Sequence, residues 1–292
     1  RQWLALASVD YCVCTQQGDP REAAERLPAL LTDAGVQGDP VMHFYAVRAS
    51  FWLQVRLGFA PGGGGARAAC DALRAACQPH WPELAQRWCL RAEANVSRLA
   101  GDYEAALRWV QRHTELCRRH GALANARGLL LQPLQDLGLL GRWDEARRQA
   151  LEQVAELQAA GLLRQYPFNC ATASAIFLRS GPLGEQRAIV IQTLRLLSDA
   201  RMLWWLADAL PWAAFHAGRA ADALSLQQWS DGLVLQRRER RGPFFGGMRQ
   251  ELLARLEAAL GPLPALDEAS LLLAAQMPEA EVLERALGPG TA

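Results

Sequence analysis

The sequence predicts an all-α protein: a right-handed α-solenoid of about six to seven helical hairpins, in one continuous domain over residues 1–292. Three observations carry that prediction. The phrase Gly101-Asp102-Tyr103-Glu104-Ala105-Ala106 returns as Gly141-Arg142-Trp143-Asp144-Glu145-Ala146, 40 residues later. Looser copies continue the same period in both directions. Strand-like alternation of β-branched residues is absent, while Ala, Leu, Arg, Glu and Gln dominate.

Aligned on the phrase glycine, the hairpins turn near Gly18, Gly58, Gly101, Gly141, Gly181, Gly218 and, more weakly, Gly261. In each copy a first helix of roughly 12–15 residues precedes the glycine. Glycine ends it because the position after a helix commonly needs a positive φ. Asp19 and Asp102 follow as N-caps, and acidic residues then face the positive end of the second helix. Ala23, Ala106, Ala146 and Ala223, the sixth residue of the phrase, are small enough to let the two helices approach. Neither helix buries its apolar face alone, so neighbours must stack.

The phrase at 101–106, with Leu90 and the small Ala94 upstream, resembles the second half of a tetratricopeptide repeat. The resemblance spans nearly the whole chain. Its period exceeds the ~34 residues of that family, and Tyr11, Phe51, Leu134 and Pro211 stand where a small residue is usual. Degenerate repeats of this length are similar to the C-terminal arms of bacterial signalling ATPase regulators of the STAND and LuxR type. That resemblance implies a protein- or effector-binding arm of a cytoplasmic transcriptional regulator, with recognition in a concave groove.

Some stretches break the pattern. Pro79-His80-Trp81-Pro82 reads as a connector, as does Gly242-Pro243-Phe244-Phe245-Gly246-Gly247. Gly62 to Gly65 reads as a flexible surface insertion: it lacks the Lys-Ser/Thr of a phosphate loop and follows a helix. Glu279 to Leu287 reads as a last helix that caps the array.

Composition excludes several functions. The net charge is +1, which gives no global field for nucleic acid or an anionic membrane. No run of about 18 apolar residues spans a membrane. All 31 basic residues are arginine, so lysine chemistry is excluded; with the many Ala, Leu and Gly, that points to a GC-rich bacterial source. The chain opens within an amphipathic pattern and without Met, as a segment of a longer protein would. Seven scattered cysteines fit buried use in a reducing cytosol.

In arrays of the resembled family the first helices line the groove. The positions 13, 10, 6 and 3 before each glycine then supply Tyr45, Arg48 and Trp52; Trp88, Arg91, Asn95 and Arg98; Gln135; and Trp205, Asp208 and Trp212. Aromatic anchors beside guanidinium forks suit partner recognition. His113, Cys117 and His120 share one helix face without a fourth ligand, so no metal is expected. Cys12 and Cys14 point about 200° apart, while Cys70 and Cys77 form an apolar stripe. The run Arg237-Arg238-Glu239-Arg240-Arg241 reads as a solvated helix end. No catalytic constellation or cofactor motif is present. The expected function is a non-enzymatic binding module, or alternatively a self-associating scaffold without a small-molecule site.

Overall fold

The structure is a computed structural model that describes residues 1–15, 20–58, 64–81, 83–120, 131–238 and 240–289. It is all-helical, with 81% helix, and no strand occurs among the described residues. None of the helices searched among them is long and apolar enough to cross a membrane. The chain packs as two compact units, Arg1–Ala126 and Arg127–Ala292, where the repeat pattern predicts one continuous array.

Unit 1 contains α1 (Gln2–Thr15), α2 (Pro20–Thr32), the short α3 (Ala34–Gly38), α4 (Pro40–Leu57), α5 (Gly64–Ala76), α6 (Glu83–Leu99) and α7 (Tyr103–Arg119). The pairs α1/α2, α4/α5 and α6/α7 pack against each other as the repeat predicts. α4 carries two apolar stripes. Met42, Ala46, Ala49 and Leu53 face the core shared with α1 and α2, while Phe44 and Phe51 join Cys70, Leu73 and Ala92 on its other side. Asp39 starts this helix by accepting bonds from the amides of Val41 and Met42, with Pro40 behind it.

Unit 2 contains α8 (Leu131–Leu139), α9 (Trp143–Ala159), α10 (Pro167–Ser180), α11 (Arg187–Asp199), α12 (Leu210–His216), α13 (Ala220–Arg237), α14 (Pro243–Leu260), α15 (Glu268–Ala274) and α16 (Glu279–Leu287). The pairs α8/α9, α10/α11 and α12/α13 again pack together. α16 lies against α12 and α13, and Arg219 donates to the carbonyls of Arg285 and Ala286 at its end.

The turns follow the predicted chemistry. Gly101, Gly141 and Gly218 adopt φ of +78°, +74° and +74°. In each case the next amide closes a six-residue loop: Asp102 to Ser97, Arg142 to Leu137 and Arg219 to Ala214, all at 2.8–2.9 Å. Asp102 caps α7 through the Ala105 amide. Arg142 and Arg219, at the corresponding position, instead hold Glu145 and Asp222 three residues on. Ala106, Ala146 and Ala223 are fully buried and Ala23 nearly so. The turn at Gly18 lies outside the described residues.

The same closure also ends second helices, at Gly161 and at Arg201, which adopts φ +55° without being glycine. The expected insertion at 62–65 and the expected connector at 242–247 differ. Gly64 and Gly65 open α5, and Gly62 and Gly63 lie outside the described residues. Pro243 is the first residue of α14, so Phe244 to Gly247 are helical; proline is favoured at that position because its missing N–H needs no partner there.

Candidate functional site

The first helices of each pair place their predicted residues differently in the two units. In unit 1, α4 and α6 bring the candidates together. The Arg48 guanidinium lies 4.5 Å from the Tyr45 ring and 4.3 Å from Trp88. Arg91 lies 4.6 Å from Trp88 and 5.1 Å from Trp52. The Trp52 and Trp88 rings meet edge-on at 6.0 Å. The result is an alternating ladder of cations and aromatic faces, a contact worth roughly 0.5–2 kcal/mol per pair depending on exposure.

Within this ladder Arg48 departs from the expected role. It is only 4% exposed and paired with Asp10 of α1, so it holds α4 to α1 and does not present charge to a partner. Arg98 is also buried, whereas Tyr45, Trp52, Trp88, Arg91 and Asn95 are half-buried. Asn95 donates to the Arg91 carbonyl. The indole N–H groups of Trp52 and Trp88 meet no acceptor among the described residues.

In unit 2 the corresponding face is occupied. α14 packs against α8, where a Cβ on Gly138 would sit 2.8 Å from the Phe244 ring. Glu251 of α14 pairs with Arg179 of α10, and Arg255 lies over Trp212 of α12. α14 therefore reaches all three first helices, and its buried side is Phe244, Met248, Leu252 and Leu256. Arg179 is itself clamped between Trp143 and Trp212 at 4.5 and 4.2 Å. Burial works against ionisation of Glu251, but the bonds and charges of Arg179 and Arg255 together outweigh it and hold the carboxyl below its ordinary range.

This arrangement corrects three assignments. Trp212 is completely buried and is a core residue. Asp208 is buried and accepts from Ser230 at 2.7 Å and from Arg241 at 2.9 and 3.0 Å. Arg241 therefore leaves the solvated run expected at 237–241, because the buried Asp208 carboxylate requires a counter-charge. Arg241 also binds Asp231, which Arg249 of α14 holds from the other side. Trp205 and Gln135 are half-buried, Trp205 edge-on to Trp204 at 5.2 Å.

The expected metal-capable face resolves into core and surface. His113 is buried with Cys117 Sγ 3.6 Å from its Nδ1, whereas His120 is exposed. Burial, reinforced by Arg91 and Arg87, lowers the His113 pKa to about 3, so its ring is neutral. No cluster of three His, Cys, Asp or Glu side chains suited to a metal occurs among the described residues. Burial pushes the Cys70 thiol up to about 12 and that of Cys170 to about 11, which keeps both protonated.

Comparison with known proteins finds no matching family model, no matching curated protein and no matching solved structure.

Proposed function

We propose that this chain is a non-enzymatic binding module whose first-helix face in unit 1 takes an amphipathic helix of a protein partner. The observation that carries the reading is α14. In unit 2 the chain lays one of its own helices on the equivalent face, with apolar residues at intervals of four and a glutamate reaching an arginine stacked on tryptophan. Unit 1 offers the same chemistry in Trp52, Trp88 and Arg91. Helix-in-groove recognition uses such spaced apolar anchors.

Hairpins stacked at the 40-residue period support the finer reading of a right-handed α-solenoid of six to seven hairpins. The resemblance to tetratricopeptide repeats supports its place as the cytoplasmic arm of a bacterial transcriptional regulator. Partner binding then shifts how the arm packs against the rest of that protein.

The test uses a fluorescently labelled peptide with the α14 sequence, residues 243–260, titrated into the full chain. Anisotropy should show saturable binding that Arg91→Ala and Trp52→Ala weaken roughly tenfold. Absence of binding, or equal affinity in both variants, would remove the assignment. The exposed Leu4 on α1 and Leu273 on α15, at 77% and 69%, favour the second reading of a self-associating scaffold. Elution volume that shifts with concentration would support it.

A further inference from the structure

A cleft of about 410 Å³ opens in unit 1 between α5, α6 and α7. It lies on the side of α6 opposite Trp88, Arg91 and Asn95, since 3.6 residues per turn carry Gln86, Cys89 and Leu90 to the other face. The proposed partner face and this cleft are therefore separate. Its size suits a small molecule, because ligand pockets commonly hold roughly 300–1,000 Å³.

Three guanidinium groups line the cleft: Arg74 from α5, and Arg112 and Arg119 from α7. Arg74 pairs with Glu93 at 2.7 Å and Arg119 with Glu115 at 2.9 Å. Glu115 is the one carboxylate in the described lining. Arg112 lies 4.8 Å over the Trp109 ring and makes no ion pair among the described residues. The lining thus holds a cation without a counter-charge beside two others that can share a second anion.

The remaining wall is apolar and neutral. Leu90 and Leu116 line it with Cys77 and Cys89, whose thiols donate to the carbonyls of Gln78 and Leu73. Burial raises both thiols above their ordinary range, so neither brings negative charge to the cleft. The Gln86 amide already donates to the carbonyls of Pro79 and Trp81, which leaves it no strong demand on a ligand.

We propose that this cleft binds a small organic anion with an apolar tail. Arg112, with Arg74 and Arg119 beside it, holds the charged head, and the tail lies against Leu90, Leu116 and the two thiols. Guanidinium forks serve carboxylate and phosphate heads alike, so the class is set by one anionic end and one apolar end.

Calorimetric titration of the full chain tests this with octanoate, octyl phosphate, inorganic phosphate and octylammonium. Octanoate or octyl phosphate should bind, and Arg112→Gln should weaken binding roughly tenfold or more, the loss expected for one charge-assisted contact. Arg148→Gln, on an exposed residue of α9, should leave it unchanged. Bound octanoate or octyl phosphate should also protect Cys77 and Cys89 from N-ethylmaleimide in a peptide map. If Arg112→Gln loses its helical circular dichroism, Arg119→Gln carries the same prediction. No binding of either tailed anion would overturn the proposal. So would equal binding of octylammonium, tail-independent binding of inorganic phosphate, or unchanged affinity in a folded Arg112→Gln.

Discussion

In unit 2 the face built by α8, α10 and α12 lies under α14, and Asp208 and Trp212 are 7% and 0% exposed. In unit 1 the face built by α4 and α6 keeps Tyr45, Trp52, Trp88 and Arg91 half-buried. Both faces occupy the same positions of the repeat, and both stack arginine on tryptophan. The difference teaches that repeat position sets which way a side chain points, while a later segment decides whether anything is left to recognise. A nearest-neighbour stack leaves such a face open; α14 abandons that rule by reaching back to α8.

The sharpest break of this comparison is between two tryptophans. Trp212→Ala should destabilise the protein by about 3–5 kcal/mol, since it empties a fully enclosed site and strips Arg179 of one aromatic face. Trp52→Ala should cost roughly 1–2 kcal/mol, because its ring already meets solvent. Urea unfolding measures both. Equal losses would mean that the two faces are equally covered.

Acid should separate the units next. The folded His113 of unit 1 has a pKa of about 3 and its unfolded value lies near 6.5. Between these the unfolded chain binds the extra proton, so stability falls as pH falls, by at most ~1.4 kcal/mol per pH unit. His216 of unit 2 shifts the same way, with burial as the leading cause, but its bond to the Arg179 carbonyl opposes the shift. His113→Leu should therefore flatten the stability slope between about pH 6.5 and 5 more than His216→Leu does. Glu93 and Glu251 are held below 4.5, so their contribution is present above that pH and is lost only further down. An unchanged slope in His113→Leu would show that the ring is not buried in its neutral form.

The smallest effects concern the turns. Gly141→Ala, at φ +74°, should lower the thermal midpoint of unfolding through about 1 kcal/mol of strain. Arg201→Gly should raise it through roughly 0.5–1 kcal/mol of relief. Opposite signs are the expected outcome; a loss at Arg201→Gly would mean that its side chain contributes more than its backbone costs.

Much of this architecture is legible locally. The glycines at 101, 141 and 218, the Asp102 cap and the buried alanines follow from φ preference, capping and close approach within a few residues. The turn at Gly161 carries a visible sign, a glycine midway between Gly141 and Gly181, but nothing local marks Arg201 as left-handed. α14 is obscured because Gly-Pro-Phe-Phe-Gly-Gly carries the same residues that make a connector. The counter-signal is the spacing of Phe244, Met248, Leu252 and Leu256. Of the candidate site, the cluster on α4 and α6 is readable because offsets from the glycine put its members on adjacent helices. The pairing of Arg48 with Asp10 and of Asp208 with Arg241 is not, since Asp10 comes from another helix and Arg241 from the segment between α13 and α14, at no fixed offset.

By itself the sequence determined the helices, their turns and the side each residue faces, because those depend on short-range backbone preference and on a 3.6-residue period. Only the tertiary structure decided which arginines keep a solvent-facing charge and which are locked to a buried carboxylate. Desolvation and ion pairing depend on what long-range packing brings near, and the repeat does not encode that.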